Sequence, residues 1–377
     1  MISFVWSSRY PFWAGAGGSE NYTAGHIREL MRRGIPTRVL TLGHGKRDGR
    51  EDFPDIAFKA LHSKQQLSLL DDTLVYVTYP LNVRTKKSSF AVLHCPPLSL
   101  GQPDPLFDKK GIKGTKLIAA SRFSALMWER DLGLDWGDIP VAYPFADSEF
   151  AAVRRRPRLG HSVRILFSGR LTPDKGVYTL LAAMHIMDRM GVKYRVTATT
   201  SGAKNEEGKI VHALFQAHPR IKLVPAGNDA AAVADLMAKH DIVVMPSTDI
   251  FWKELFGMVS VEAQHAGCRV VASNSGGLPE TDCGGLMLVE PDNPKALAEG
   301  LAKAAKLGAL NEAERKRATT VFTVAESVDQ LLDIVAAEEA ERADVRSRSR
   351  RPVHSHQGVS KLFQPQPDYQ PARSTSN

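Results

Sequence analysis

The stretch KELFGMVSVEAQHAGCRVVASNSGGLPE, residues 253–280, decides how this chain is read. Glu254 and Glu262 flank a short apolar run that contains Gly257, and the glycine turn Ser275-Gly276-Gly277 follows. The preceding residues 241–247, DIVVMPS, have the continuous apolar character of a buried parallel strand. Glu254 therefore falls in the loop past that strand's C-terminal end, the edge at which open α/β sheets bind ligands. A helix starting near residues 255–257 aims its unpaired backbone N–H groups at an anion and leaves Glu262 one to two turns inside.

Working outward, 377 residues are enough for two domains with separate cores. No apolar run approaches the roughly 18 residues of a membrane-spanning helix. The first residues, MISFVW, have no basic leader or small-residue cleavage site and read as a first strand, not a signal peptide. Cys95, Cys268 and Cys283 are isolated and odd in number, which points to a reducing, cytoplasmic setting and away from a zinc site. The net charge of +8 is concentrated in two places. Arg154, Arg155, Arg156, Arg158 and Arg164 give +5 within residues 151–164, and the residues from Glu341 onward carry +4, so the remainder is −1. A basic hinge and a basic tail do not make a basic groove, so nucleic acid is not an expected partner. The two segments read as a solvated linker and a disordered tail. The sharper alternative is peripheral contact with the inner face of an anionic membrane, where each basic residue gains roughly 1 kcal/mol.

Short β-rich runs alternate with helical patterns along almost the whole chain, the signature of parallel α/β sheets. Strands are expected at residues 2–6, 38–42, 74–78, 91–94, 117–120 and 141–143. A second series is expected at 163–168, 194–198, 221–224, 242–245, 269–272 and 286–289. Ala24, Ile27, Leu30 and Met31 recur at helical spacing before Gly34 stops that helix. The economical architecture is α/β, with two Rossmann-like doubly wound domains facing each other across a cleft. Residues 1–150 form the first domain, 151–162 a basic linker, and 163–322 the second domain. Residues 323–340 form a helix that crosses back to the first domain, and 341–377 a disordered basic tail.

In the second domain, the strand VRILFSGR (163–170) runs into Leu171-Thr172-Pro173-Asp174-Lys175-Gly176. Arg170 and Lys175 put two cations just past the strand end. Two fixed cations and a helix N-terminus stabilise a departing diphosphate without a metal. No Asp-x-Asp stands at a strand end to hold a divalent ion: Asp71 and Asp72 are adjacent, and Asp147 and Glu149 sit at the hinge. In the first domain, Gly17 and Gly18 lie between the first strand and first helix, a loop that a plain tight turn also explains. His94 closes a strand before Cys95-Pro96-Pro97, as a core histidine or as a site residue. Phe12, Trp13 and Trp252 either stack on a sugar face or pack as core. Two loops, residues 199–202 and 225–228, are expected around a nucleobase.

Gly169-Arg170-Leu171-Thr172-Pro173-Asp174-Lys175-Gly176, the pair Glu254 and Glu262, and Gly276-Gly277-Leu278-Pro279-Glu280 stand in one order and spacing. In this the chain resembles the retaining glycosyltransferases of family 4, which have a GT-B fold; Gly17, Gly18 and Ser121 also fit. The resemblance is strong from about residue 163 to 332. It implies sugar transfer from a nucleoside diphosphate donor held by the second domain to an acceptor hydroxyl, lipid-linked or small, on the first. Cell-surface glycan or glycoconjugate synthesis is one setting for such a transfer. By the same resemblance, Arg170 and Lys175 bind the donor phosphates, Glu254 orients the sugar hydroxyls and Glu262 holds the ribose. Leu255, Phe256 and Gly257 offer backbone N–H groups, Gly17 and Gly18 approach the donor, and His94 lies near its sugar. The nucleotide-sugar is then a substrate, and neither a cofactor nor a metal is implied. Two alternatives share these features: a nucleotide-sugar epimerase on the same fold, and a non-catalytic binding or scaffold protein that works through the basic tail.

Overall fold

The computed structural model describes residues 1–8, 10–14, 17–77, 80–97, 112, 114–156, 160–202, 206–227, 229–250 and 253–349. The first half folds as β1 (Ile2–Trp6), α1 (Gly18–Arg32), β2 (Thr37–Leu42), β3 (Phe58–Leu61), β4 (Thr73–Tyr76), β5 (Ser89–Leu93), β6 (Lys116–Ala119) and α2 (Arg122–Leu132). After the short α3 (Ser148–Ala152), the second half begins with β7 (Val163–Phe167), α4 (Val177–Arg189), β8 (Tyr194–Thr199), α5 (Glu206–Ala217) and β9 (Ile221–Val224). It continues through α6 (Ala230–Ala238), β10 (Ile242–Met245), α7 (Met258–His265), β11 (Arg269–Ser273) and β12 (Leu286–Val289), and ends with α8 (Pro294–Leu307), α9 (Glu312–Ala318) and α10 (Val324–Ser349).

Each half is one six-stranded parallel sheet. The orders are β3-β2-β1-β4-β5-β6 and β12-β11-β10-β7-β8-β9, the same doubly wound order read in opposite directions. Strand order reverses between β1 and β4 and between β7 and β10, so each sheet has one crevice at the C-terminal ends of those strands. Helices cover both faces, which is why the inner strands are apolar throughout. Phe4 and Trp6 of β1 enter one core and Val5 the opposite one, while Ile165 and Phe167 of β7 face away from Leu166.

Two strand expectations need correction. Phe58–Leu61 is a strand that periodicity misses, because an edge strand keeps half its side chains in water and shows no apolar run. Residues 141–143 do not form a strand: Val141 makes one isolated bridge to Ala119, and the Tyr143 N–H turns away to donate to Gln330. The chain changes domain between Phe145, in the core under β1, and Ala146, in the core under β10. This lies ahead of the composition shift at residue 151, because Phe150 is already anchored in the second core. The chain returns beside that crossing: the Ala146 N–H donates to the Phe322 carbonyl, and Val328, Leu331 and Val335 of α10 pack in the core under β1.

The basic stretch is not simply solvated. Arg155 donates to the carbonyls of His240 (2.6 Å) and Ala266 (3.1 Å), Arg156 pairs with Asp235, and Arg164 pairs with Asp241. Arg158, Asn228, Trp252 and the tail from Arg350 lie outside the described residues. Among the described residues no helix is long and apolar enough to cross a membrane.

Candidate active site

The floor of the cleft is the crevice of the second sheet. The end of β7 gives Ser168 and Gly169, and a 3-10 turn, Pro173–Lys175, then lifts Lys175 over the end of β10. Gly176 makes this possible: its φ is 68°, and a Cβ there would lie 1.7 Å from the Pro246 carbonyl oxygen. Lys175 Nζ forms an ion pair with Glu254, which also accepts from Ser247 Oγ at 3.2 Å. Both charged side chains are mostly buried, with 18% and 17% of their surface exposed.

The loop that carries Glu254 is fixed from below by the glycine turn. The Gly277 N–H donates to the Glu254 carbonyl at 2.8 Å, and a Cβ on Gly276 would meet that same carbonyl at 2.3 Å. The two motifs are thus one packed unit, a closer relation than their spacing in sequence conveys. Leu255 and Phe256 are buried, Gly257 caps α7, and the first turn of that helix faces the cavity.

The first domain supplies the roof. Gly18, Ser19, His94 and Cys95 line a cavity of about 350 Å³ together with Lys175 and Glu254. The domains approach closely here, since a Cβ on Gly18 would lie 3.1 Å from Met258 Sδ. His94 stands edge-on to Tyr22, and its Nε2 is buried with no hydrogen-bond partner among the described residues. Burial, and then the neighbouring His26, push its pKa down to about 3, so the ring is neutral at physiological pH. It can exchange a hydrogen bond with a ligand but carries no charge to offer.

Arg170 stands apart. Its side chain is 55% exposed, pairs with Asp174 at 3.3 Å and does not line the cavity. Glu262 and Gly17 line a second cavity of about 330 Å³, which shares Met258 with the first. The expected site residues therefore fall in two adjoining compartments, with Lys175, Glu254, Gly18 and His94 in one and Glu262 in the other. Of the expected base-side loops, Gly227 lines the second compartment, and Ser201 accepts the Leu171 N–H at 2.8 Å. Phe12 belongs to the core, whereas Trp13 is half exposed. Ser247 is not among the expected site residues, though it lies two residues past β10, and strand-end position is the signal that points to it. Among the described residues no three His, Cys, Asp or Glu side chains gather as a metal site.

The Glu262 carboxyl is pushed up to about 7 by loss of water and then by Asp147. The unfolded chain releases this proton near pH 4.5, whereas the fold retains it to about pH 7. Stability is therefore lost as pH rises through that window. Glu262→Gln should match the parent at pH 4 and exceed it at pH 8 by on the order of 1 kcal/mol, a modest figure because the side chain is only half-buried. Thermal unfolding at the two pH values checks this, and an equal shift at both would contradict it.

Two sheets of identical order, with polar side chains gathered at the switch point of the second and glycines closing from the first, make this a protein of the GT-B fold. Residues 162–306 match the family Glycosyl transferases group 1. An uncharacterized glycosyltransferase of Methanocaldococcus jannaschii is 31% identical over 182 residues, 46% of this chain and 41% of that protein. A D-inositol 3-phosphate glycosyltransferase of Paenarthrobacter aurescens is 30% identical over 189 residues, 45% of this chain and 43% of that protein. The chain spans less than half the length of these curated relatives. Anabaena HepE, solved in complex with UDP, superposes with a TM-score of 0.66 at 18% identity, over 89% of this chain and 99% of that one, a likeness of fold.

Proposed function

We propose that this protein is a retaining, metal-independent glycosyltransferase that moves a sugar from a nucleoside diphosphate donor to an acceptor hydroxyl. The observation that carries the reading is the Lys175–Glu254 pair, held at the switch point of the second sheet beside the start of α7. In the transfer, the bond between the anomeric carbon and the diphosphate oxygen breaks, and the acceptor oxygen bonds to that carbon from the same face. The acceptor proton passes to the departing diphosphate. Lys175, with the first N–H groups of α7, stabilises the charge that develops on the leaving group. Glu254 fixes the sugar through its hydroxyls, and the second compartment receives the nucleoside, with Glu262 on the ribose.

Metal independence is supported by this fixed ammonium, which stands where a metal would otherwise neutralise the leaving group. The small, odd number of cysteines favours a reducing, cytoplasmic setting. Uridine diphosphate, named for Anabaena HepE, is the first nucleotide to test, and an inositol phosphate belongs among the acceptors because of the named relatives. The test is nucleotide release from a panel of nucleotide-sugars, with thermal shift as the binding readout. If no donor is cleaved and none raises the melting temperature, the reading fails. An epimerised sugar formed without acceptor would make the protein an epimerase instead.

A further inference from the structure

One contact between the domains involves polar groups that neither core explains. Glu280, in the 3-10 turn Leu278–Thr281 that follows the glycine pair, reaches into the first domain. Its carboxylate accepts the N–H groups of Arg122 and Phe123, each at 2.8 Å, and the Tyr143 hydroxyl at 2.9 Å. The first N–H groups of a helix have no partner within it, so α2 starts on an acceptor borrowed from the other domain. Ser121, the cap of α2, adds a bond in the opposite direction: it accepts the Ser124 N–H and donates its hydroxyl to the Leu255 carbonyl.

These bonds converge on the loop that carries Glu254. The Gly277 N–H holds the Glu254 carbonyl, and Ser121 holds the next carbonyl along. Tyr143 belongs to the first domain crossing and Phe322 to the second. Both rings pack on Phe256 of the same loop, with centroids 5.8 and 5.4 Å away. Phe322 also has a left-handed backbone, φ 54°, which marks a fixed turn at the second crossing. Burial, and then Glu280, push the Tyr143 phenol up to about 12, so it remains a donor at every working pH.

We propose that Glu280 is a positioning residue that ties the start of α2 and the crossing residue Tyr143 to the 276–280 turn, and so holds Glu254 and Lys175 in register for transfer. The catalytic half of this statement rests on the glycosyltransferase reading above; the mechanical half does not. Rotation of one domain against the other must break three hydrogen bonds to a single carboxylate. The donor loop is then held from its first-domain side only when the domains are docked.

Hydrogen exchange on the full chain tests the mechanical half without substrate. Glu280→Ala should speed exchange about tenfold at residues 122–123 and at Gly277, whose N–H holds the Glu254 carbonyl, while residues 242–245 stay protected. Tyr143→Phe, which removes one bond and keeps the ring, should give a smaller change in the same segments. In turnover with whichever donor the panel identifies, both variants should lower kcat with the donor KM within about threefold of the parent. Unchanged protection at residues 122–123 and at Gly277 in both variants would overturn the proposal. Equal loss of protection at 242–245 in both would also overturn it, since Glu280 would then be a residue of general stability. If the parent cleaves no donor, the glycosyltransferase reading fails while the exchange result still decides the mechanical half.

Discussion

Lys175→Ala should lower kcat/KM for the donor about 10³-fold, the upper end of what one preorganised electrostatic contact supplies. Two effects act together. The variant loses the ammonium that meets the departing diphosphate, and among the described residues it leaves Glu254 as a mostly buried carboxylate held by the Ser247 hydroxyl alone. A diphosphate entering that pocket then meets a negative charge that nothing offsets. Arg170→Ala should cost only about tenfold, because its guanidinium is exposed, already pairs with Asp174 and stands outside the cavity. Steady-state kinetics with one donor checks both, alongside thermal unfolding to establish that each variant folds. Equal losses for the two residues would mean that Arg170 swings into the cavity on binding.

The contrast between these two cations shows where the sequence was informative. Buried parallel strands such as IVVM (β10) and RVVAS (β11) announce themselves as apolar runs, because both their faces are covered. The strand-end rule then sets Lys175 and Glu254 past the ends of two strands, β7 and β10, that pair in the sheet. It could not tell that Arg170 points to Asp174, since that depends on one side-chain torsion and not on the path of the backbone. FKAL at β3 escaped notice because an edge strand lacks the pattern on which the reading relied. The arginines near residue 155 looked solvated because composition records charge but not the carbonyls of His240 and Ala266 that receive it. Glu280 was legible as part of a motif but not as a bridge. Its partners Arg122 and Phe123 are 158 and 157 positions away, and they meet it only once two independently folded sheets have docked.

Glu254→Gln should separate the two things this pocket does. Turnover should fall about 10²- to 10³-fold, because a neutral amide no longer fixes the sugar hydroxyls in the geometry from which the glycosidic bond breaks. Binding of uridine diphosphate, which has no sugar to orient, should instead become several-fold tighter. Glu254 pairs with Lys175, so an incoming diphosphate must compete with that carboxylate for the ammonium. Substituting the carboxylate removes the competitor and leaves the cation in place. The double variant Lys175→Ala/Glu254→Gln should accordingly bind uridine diphosphate better than Lys175→Ala alone, with a coupling of about 1 kcal/mol across the cycle. Titration calorimetry on the four proteins measures that coupling directly. If Glu254→Gln weakens the nucleotide instead, the carboxylate serves to hold the loop, and the pocket is organised around something other than a competition between sugar-orienting acid and phosphate for one lysine.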